Sequence, residues 1–431
     1  MTAAPLRRFD KRPPALVKAR IAVYLTFLAN GLGFSNLVPR YPEIVEHLGI
    51  TKQVFGQALM FNAIGALVAG LAASWFITRF TSARVASIGM IILGLGLLGA
   101  GLAESWLLLA VCLAWVGGTD AVIDVAQNAH GLRVERRWGG SIITSFHAAW
   151  SLGAVLGATL GQAMAGAGVP IGLHMAGVVV LLTTVSGLAL PWTIKGPDAD
   201  DREPVSAGDV LAAEESPEAD DAAGPAAQPQ GLATVGSTVP AAPSRIVTVA
   251  VVIILGLLCA AAMFPEDVTG NWSSLLLTEQ GAAPGMVGMG LVALQVTMIV
   301  GRLLGDVIID HLGTRKVIAW GGVLVTAGMG VALAAGSVTG TLIGMVISGA
   351  GCAVAVPVAY AAADDVPGLR PGLGLTIVSW LARVILLVSP PIVGWFADAH
   401  GTWVALVYGL LGGIILAISW PILRKDRRPT A

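Results

Sequence analysis

Apolar segments of about twenty residues recur along the whole chain, separated by short polar stretches. An α-helix needs about twenty apolar residues to cross a hydrocarbon core about 30 Å thick, because each residue rises about 1.5 Å. The pattern therefore predicts twelve transmembrane helices. They cover residues 18–38, 54–77, 84–103, 106–131, 141–167 and 170–192, and then 246–278, 285–309, 315–335, 338–362, 371–396 and 402–423.

One long polar interruption divides the predicted helices into two groups of six. It is rich in Asp, Glu, Pro, Ala and Gly and has no periodic apolar face. Such a segment cannot bury enough surface to offset the entropy lost on ordering, so we interpret it as a disordered acidic cytoplasmic linker. The predicted organisation is a basic N-terminus (1–17), a six-helix half (18–195), the linker (196–244), a second six-helix half (245–423) and a basic tail (424–431).

Basic residues mark every second loop, which sets the predicted orientation. Lys and Arg concentrate in cytoplasmic loops of membrane proteins. Alternate loops and the C-terminal tail of this chain are basic, and the loops between them are poor in Lys and Arg, except that loop 39–53 carries Arg40 and Lys52. An even number of spans with both termini in the cytoplasm fits this alternation.

The composition agrees with a membrane protein and excludes several classes of function. The chain is 55% hydrophobic and 12% charged, whereas soluble domains are about 25% charged. A net charge of −1 gives no reason to expect a nucleic-acid partner, and the three cysteines lie in apolar segments without zinc-site spacing. No phosphate-binding loop for ATP is present, and no nucleophile or metal cluster suggests an enzyme. We expect no cofactor and no metal.

Acidic residues inside predicted span four are the strongest functional signal. Asp120, Asp124 and Gln127 have i, i+4, i+7 spacing and share one helix face. A carboxylate at this depth costs roughly 2.5–3.5 kcal/mol, so it should face a wet cavity or carry a proton. We predict that Asp120 and Asp124 couple transport to protons. The alternative is a structural role, in pairs with Arg136 or His147.

Further polar residues within the spans are weaker candidates. His147 can titrate near neutral pH, although a single membrane histidine often only joins helices. Glu266 follows Pro265, whose missing donor permits a helix break at a binding site, and we assign Glu266 to the cavity. We predict that Glu266 and His147 also take part in proton coupling. Trp272 either stacks on a ligand or lies at the membrane interface. The predicted substrate-cavity residues are Asn30, Asn62, Gln127, Asn128, Trp150, Trp272, Gln295, Trp380 and Arg383.

Residues 306–317 and 74–85 form corresponding loops of the two halves. Asp306 to Val317 aligns with Ser74 to Val85, so that His311, Lys316 and Val317 match Arg79, Arg84 and Val85. Two related halves with a site at their interface are typical of secondary transporters. Charges near these loops either gate the cytoplasmic side or only anchor helix ends. The predicted gating residues are Arg302, Asp306, Asp310, Arg315, Lys316, Arg136 and Arg137.

The second-half loop, Gly301-Arg302 followed by Asp306-Val-Ile-Ile-Asp310-His311-Leu-Gly313-Thr-Arg315-Lys316, resembles the cytoplasmic signature of the major facilitator superfamily. The first half departs from it, with Thr78 and Thr81 where Asp and Gly are expected. The stretches 124–137, 145–153 and 266–273 are similar to bacterial rhizopine-transport-like membrane proteins and, distantly, to fucose permeases. Those permeases carry an acid in span one, where this chain has only asparagines.

The resemblance implies an all-α membrane protein with twelve transmembrane helices in two pseudo-symmetric six-helix bundles. We expect a monomer in the bacterial cytoplasmic membrane that moves a small solute by alternating access. The favoured function is proton-coupled uptake of a sugar-like or cyclitol-like compound. Two alternatives stay open at this point, namely proton-driven efflux of an amphiphilic compound and a membrane receptor that does not transport.

Overall fold

The computed structural model describes residues 12–139, 142–198, 245–364, 366, 373–419 and 421, and within this part the chain is helical. The first half contains α1 (Pro14–Leu37), α2 (Tyr41–Leu48), α3 (Lys52–Gly70), α4 (Ala73–Phe80), α5 (Ser82–Gly101), α6 (Trp106–Trp138), α7 (Ile143–Gly166) and α8 (Ile171–Ala189). The second half contains α9 (Arg245–Asn271), α10 (Ser273–Glu279), α11 (Met289–Leu312), α12 (Thr314–Ala335), α13 (Val338–Cys352), α14 (Ala355–Asp364), α15 (Leu373–His400) and α16 (Val404–Ser419).

Each predicted span has a helical counterpart. Ten helical segments of the described chain are long and apolar enough to cross a membrane, and α16 is a shorter apolar helix. The prediction of an all-helical membrane fold is therefore confirmed. Three spans are interrupted, between α3 and α4, between α9 and α10 at Trp272, and between α13 and α14. The helix break expected at Pro265 is absent, since α9 continues through Pro265 to Asn271.

Matching helix pairs pack in the two halves. In the first half α1 packs on α7, α3 on α6, and α5 on α8; in the second half α9 packs on α15, α11 on α13, and α12 on α16. The halves meet where α3 packs on α15 and α7 on α11. Because these are the second and eleventh and the fifth and eighth predicted spans, the contact has the same approximate two-fold symmetry as the halves.

Small residues explain the close approach of α1 and α7. A Cβ atom added at Gly153 would lie 2.1 Å from the Leu28 carbonyl oxygen, and one added at Gly157 would lie 2.3 Å from that of Leu32. Both distances are too short for any side chain. These glycines therefore let the two backbones touch, as small residues do at helix contacts within membranes.

Candidate functional site

Asp120 lies in a chain of hydrogen bonds between three helices of the first half. The Asn30 side-chain amide of α1 donates to Asp120 Oδ1 over 2.7 Å, and the Trp150 indole of α7 donates to Asn30 Oδ1 over 2.7 Å. Asn30 is buried, whereas Asp120 and Trp150 are partly exposed. Three candidate residues from different predicted spans, Asn30, Asp120 and Trp150, are thus in contact. The Asn30 amide of α1 is the hydrogen-bond partner of the Asp120 carboxylate of α6.

A second polar group connects the halves at mid-depth. Arg302 of α11 donates to Glu266 Oε1 of α9 over 3.2 Å and to Ser151 Oγ of α7 over 3.1 Å. The arginine and glutamate side chains are each 26% exposed, so the pair remains accessible to solvent. Arg302, predicted as a gating residue, therefore contacts the predicted proton-coupling residue Glu266 and a serine of the other half.

Charge interactions link these two groups into one cluster. Asp120 interacts with the charges of Asp124 and Arg383, and His147 interacts with those of Asp124 and Arg302. Asp124, His147 and Arg383 have exposed side chains even though they lie in membrane-spanning helices. The cluster is therefore partly exposed, and its members come from both halves, on α1, α6, α7, α9, α11 and α15.

Asp267, the residue after Glu266, is a polar residue that lines a cavity. Its carboxylate accepts hydrogen bonds from the Asn271 amide over 2.7 Å and from Ser389 Oγ of α15 over 3.3 Å. Together with Asn62, Asp267 and Asn271 line a cavity of about 120 Å³ between the halves. The i, i+4 spacing of Asp267 and Asn271 was visible in the sequence, but the contact with Ser389 was not.

The remaining predicted cavity residues occupy different environments. Trp272 is fully buried and its ring packs edge-on against Phe55 of the other half, with centroids 6.2 Å apart, so its face is closed to a ligand here. Gln127 and Gln295 are buried, and the side-chain oxygen of each has no hydrogen-bond partner among the described atoms. Asn128 donates to its own helix at Asp124, and the Trp380 side chain is 43% exposed.

The other predicted gating residues lie at the end of the molecule where the linker begins, which we call the linker end. Asp310, Lys316, Arg136 and Arg137 are exposed, and Arg315 donates to the Pro421 carbonyl over 3.2 Å. The side chain of Asp306, another predicted gating residue, lies outside the described residues. In the part of the chain that is described, no group of three His, Cys, Asp or Glu residues could hold a metal ion.

The opposite end of the molecule, which we call the Glu279 end, holds the halves together. Lys52 forms an ion pair with Glu279, and Asp398 accepts hydrogen bonds from the backbone N–H groups of Lys52 and Gln53 over 2.7 and 2.9 Å. Sequence analysis missed this contact, although Lys52 was one of the two residues that broke the loop-charge pattern. These contacts between the halves indicate a state closed at the Glu279 end.

Glu279 itself is stabilised in its charged form. Burial alone would raise the pKa of this carboxyl group, but hydrogen bonds from Lys52 and from the Thr402 backbone and hydroxyl, with the charge of Lys52, outweigh burial and lower the pKa. The Thr402 N–H donates over 2.9 Å and its hydroxyl over 2.8 Å. Glu279 is therefore charged at neutral pH.

The sequence of this chain matches one family model along both halves. The model of the Major Facilitator Superfamily matches residues 23–266 and 252–431. An uncharacterized MFS-type transporter of Yersinia pestis is 23% identical over 94% of this chain and 94% of its own length. Membrane protein MosC of Rhizobium meliloti is 34% identical over 41% of this chain and 43% of its own length.

Solved transporter structures share the fold at low sequence identity. A D-xylose-proton symporter superposes with a TM-score of 0.68 at 15% identity, covering 96% of this chain and 100% of the symporter. The nucleoside transporter NupG superposes with a TM-score of 0.62 at 12% identity, covering 95% of this chain and 98% of NupG. A bacterial homologue of the lysosomal transporter Spinster, in an inward-facing conformation, gives 0.66 at 12% identity, covering 98% of this chain and 100% of that homologue.

Proposed function

Because the chain belongs to the major facilitator superfamily, and is thus a secondary transporter by family and fold, we propose that it takes up a polar, sugar-like or cyclitol-like compound together with protons. The predicted proton-coupling residues Asp120, Asp124, His147 and Glu266 support this proposal, because they fall into one connected cluster between the halves. A transporter that moves its two halves around a central site needs titratable groups at that place in order to couple protons to substrate.

The pair of Arg302 and Glu266 is the proposed connection between proton binding and movement of the halves. Protonation of Glu266 removes the charge that holds Arg302, and Arg302 also contacts Ser151 in the other half. Loss of one charge-assisted hydrogen bond changes the free-energy difference between two conformations by about 1.5–3 kcal/mol. This amount shifts the populations of two states by about tenfold or more, because 1.4 kcal/mol corresponds to a factor of ten.

The chemistry of the cavity favours a substrate with hydroxyl groups. Asn62 and Asn271 supply amide groups to the cavity between the halves. Asn30 and Trp150 supply an amide and an indole beside Asp120, where Arg383 adds a cation. Such groups donate and accept hydrogen bonds with a neutral polyol. The solved relatives named for D-xylose and for nucleosides also carry polar, hydroxylated compounds, which supports the same substrate class.

The first experiment identifies a substrate and then tests coupling. Pentoses, hexoses, inositols, nucleosides and amphiphilic cations are screened for thermal stabilisation of the detergent-purified protein. The compound that stabilises most is then used with proteoliposomes, in which substrate-driven proton movement is recorded with a pH-sensitive dye. We expect Asp124→Asn to abolish accumulation driven by a pH gradient while it leaves substrate exchange intact.

Glu104→Gln is the matched control, because Glu104 is an exposed acid in a loop away from the cluster. Its accumulation should equal that of the native protein. Accumulation against a gradient by the Asp124→Asn variant would exclude Asp124 as the proton carrier. Stabilisation by amphiphilic cations alone would instead favour the efflux function, and binding without any transport would favour a receptor.

A further inference from the structure

An apolar groove on the outer surface of the first half has no role in the proposed transport cycle. It has a volume of about 760 Å³ and runs between α3, α4, α5 and α6. Its walls include Val68, Ile88 and Trp115, whose side chains are 66%, 51% and 51% exposed. A groove of this size can hold one acyl chain of a lipid, since ligand pockets of ordinary size begin at about 300 Å³.

The groove opens away from the central cluster. Its residues on α6 are Ala114, Trp115, Gly118, Thr119 and Val122, which follow the i, i+3, i+4, i+7 pattern of one helix face. Asp120 and Asp124 lie on roughly the opposite face of this helix, toward the other half. The groove therefore faces the surrounding hydrocarbon, and it belongs to neither the substrate cavity nor the contact between the halves.

The groove forms where glycine, which has no side chain, lets two helices touch. A Cβ atom added at Gly65 would lie 1.9 Å from the Ala114 carbonyl oxygen, so α3 and α6 meet through their backbones at its floor. The Trp115 indole donates to the Ile92 carbonyl of α5 over 3.0 Å and closes one end. From Ile92 to Arg84 the groove follows α5 for about 12 Å, at 1.5 Å per residue, close to the thickness of one hydrocarbon leaflet of about 15 Å.

Positive charge marks the linker end of the groove. Arg84 lines it with an exposed side chain, and Arg79 lies over the Phe80 ring, 5.5 Å from its centroid. The carboxylate of Asp198, which bonds to Ser82 near Arg84, is also bound by Arg133. Exposed Trp75, Phe76 and Phe80 surround this end, as aromatic residues do at the boundary between hydrocarbon and headgroups.

We propose that this groove is a binding site for an anionic phospholipid, with one acyl chain between α3 and α5 and the phosphate group at Arg84. The apolar walls select hydrocarbon, and the exposed guanidinium groups at one end select a negative headgroup. A cationic side chain near a membrane surface favours an anionic lipid by about fivefold. The site selects an anionic phospholipid because the positive charge of Arg84 lies at one end of an apolar groove about as long as one leaflet is thick.

The test measures lipid binding to delipidated protein in detergent by native mass spectrometry. Dioleoyl phosphatidylglycerol and dioleoyl phosphatidylcholine are compared, because they share acyl chains and differ in headgroup charge. We expect phosphatidylglycerol to bind several-fold more tightly, and Arg84→Ala to reduce this preference about fivefold. Thr119→Trp, which fills the groove, should weaken binding of both lipids. Glycerol phosphate should not compete, because it lacks the chain.

Lys316→Ala is the matched control. Lys316 occupies the corresponding register in the second half and is also exposed. Its loss should leave the lipid preference unchanged. An equal reduction in the Lys316→Ala variant would show a general surface charge effect and overturn the proposal. Unchanged lipid binding by the Thr119→Trp variant would also overturn the proposal. A third contrary outcome is a dimer of the native protein in light scattering that the Thr119→Trp substitution dissociates, because a second copy of the chain would then fill the groove.

Discussion

At the scale of single residues, Thr81 shows how the first half departs from the second. It is the one residue other than glycine with a positive φ in the described chain, at φ 74° and ψ 147°. Its counterpart Gly313 has φ 82° and ψ 148°. The backbone turns in the same way in both loops, but a β-branched residue in this region is strained by about 1–3 kcal/mol.

Replacement of Thr81 by glycine should therefore stabilise the protein. We expect Thr81→Gly to add about 1 kcal/mol, which raises the melting temperature by roughly 2 °C in a large domain. Gly313→Thr is the reciprocal variant and should lower the melting temperature by a similar amount. Differential scanning fluorimetry in detergent measures both. A lower melting temperature for Thr81→Gly would show that the threonine side chain makes a stabilising contact that outweighs its strain.

The sequence indicates single candidate residues but not their contact partners. Asp120 and Asp124 stand out because a carboxylate within an apolar span is costly. Contact partners do not stand out in this way, since Arg302 contacts residues 36 and 151 positions away in sequence. Helical spacing reports which residues share a face of one helix, and it contains no information about which faces of different helices meet.

At the scale of helices, the start of α3 is completed by the other half of the molecule. The first N–H groups of a helix have no partner within it. Asp398 of α15 accepts from two of them and also places a negative charge at the positive end of the helix dipole. Gly394 allows the approach, because a Cβ atom there would lie 2.4 Å from the Lys52 carbonyl oxygen. The cap therefore holds the Glu279 end closed.

Removal of this cap should open the Glu279 end. Loss of a helix cap costs about 1 kcal/mol, so Asp398→Ala should raise the open population about fivefold. The reporter is Ala63→Cys, at the cavity beside Asp267, with the three native cysteines replaced by alanine. A membrane-impermeant maleimide added at the Glu279 end measures accessibility. Glu46→Ala, an exposed acid of α2, should label like the parent.

The same labelling assay tests the pH dependence of the Glu279 contact. The pKa of Glu279 is lowered in the closed state, so its contribution to closure is complete above the ordinary pKa of about 4.3 and is lost as pH falls through the lowered value. Labelling relative to that of a free thiol at the same pH should be constant from about pH 5 to 8 and rise only below about pH 4, because maleimide reacts with the thiolate. Equal labelling of Asp398→Ala and the parent, or a transition near neutral pH, would contradict this account.

At the scale of the whole molecule, the sequence predicted an all-helical membrane fold with a helix in each span, but not the contact between the halves. Membrane-spanning helices follow from the length and apolarity of segments, and those properties are local. The contact of α3 with α15 and of α7 with α11 joins segments that lie far apart in the chain. Glycines there, such as Gly56, whose Cβ would lie 2.3 Å from the Pro390 carbonyl oxygen, have no pattern that identifies their partner.

The start of the predicted linker is fixed to the first half, and this refines how the linker can be shortened. Asp198 accepts hydrogen bonds from the N–H and hydroxyl groups of Ser82 at the start of α5 and lies 3.7 Å from Arg133. Arg133 is buried and donates to the carbonyl groups of Lys195 and Gly196, over 3.0 Å each. Residues 195–198 thus belong to the folded first half, although the sequence analysis ended that half at 195.

A linker shortened within residues 202–240 should therefore leave transport unchanged. About twenty Gly/Ser residues in place of this stretch reach roughly 25 Å, about two helix diameters, so both halves can still associate. A second variant that also replaces Asp198 by glycine should lose about 2 kcal/mol, because Arg133 and the α5 start lose a charged partner. Melting temperature and transport in proteoliposomes distinguish the two. A stable shortened protein without transport would show that residues 202–240 carry a function of their own.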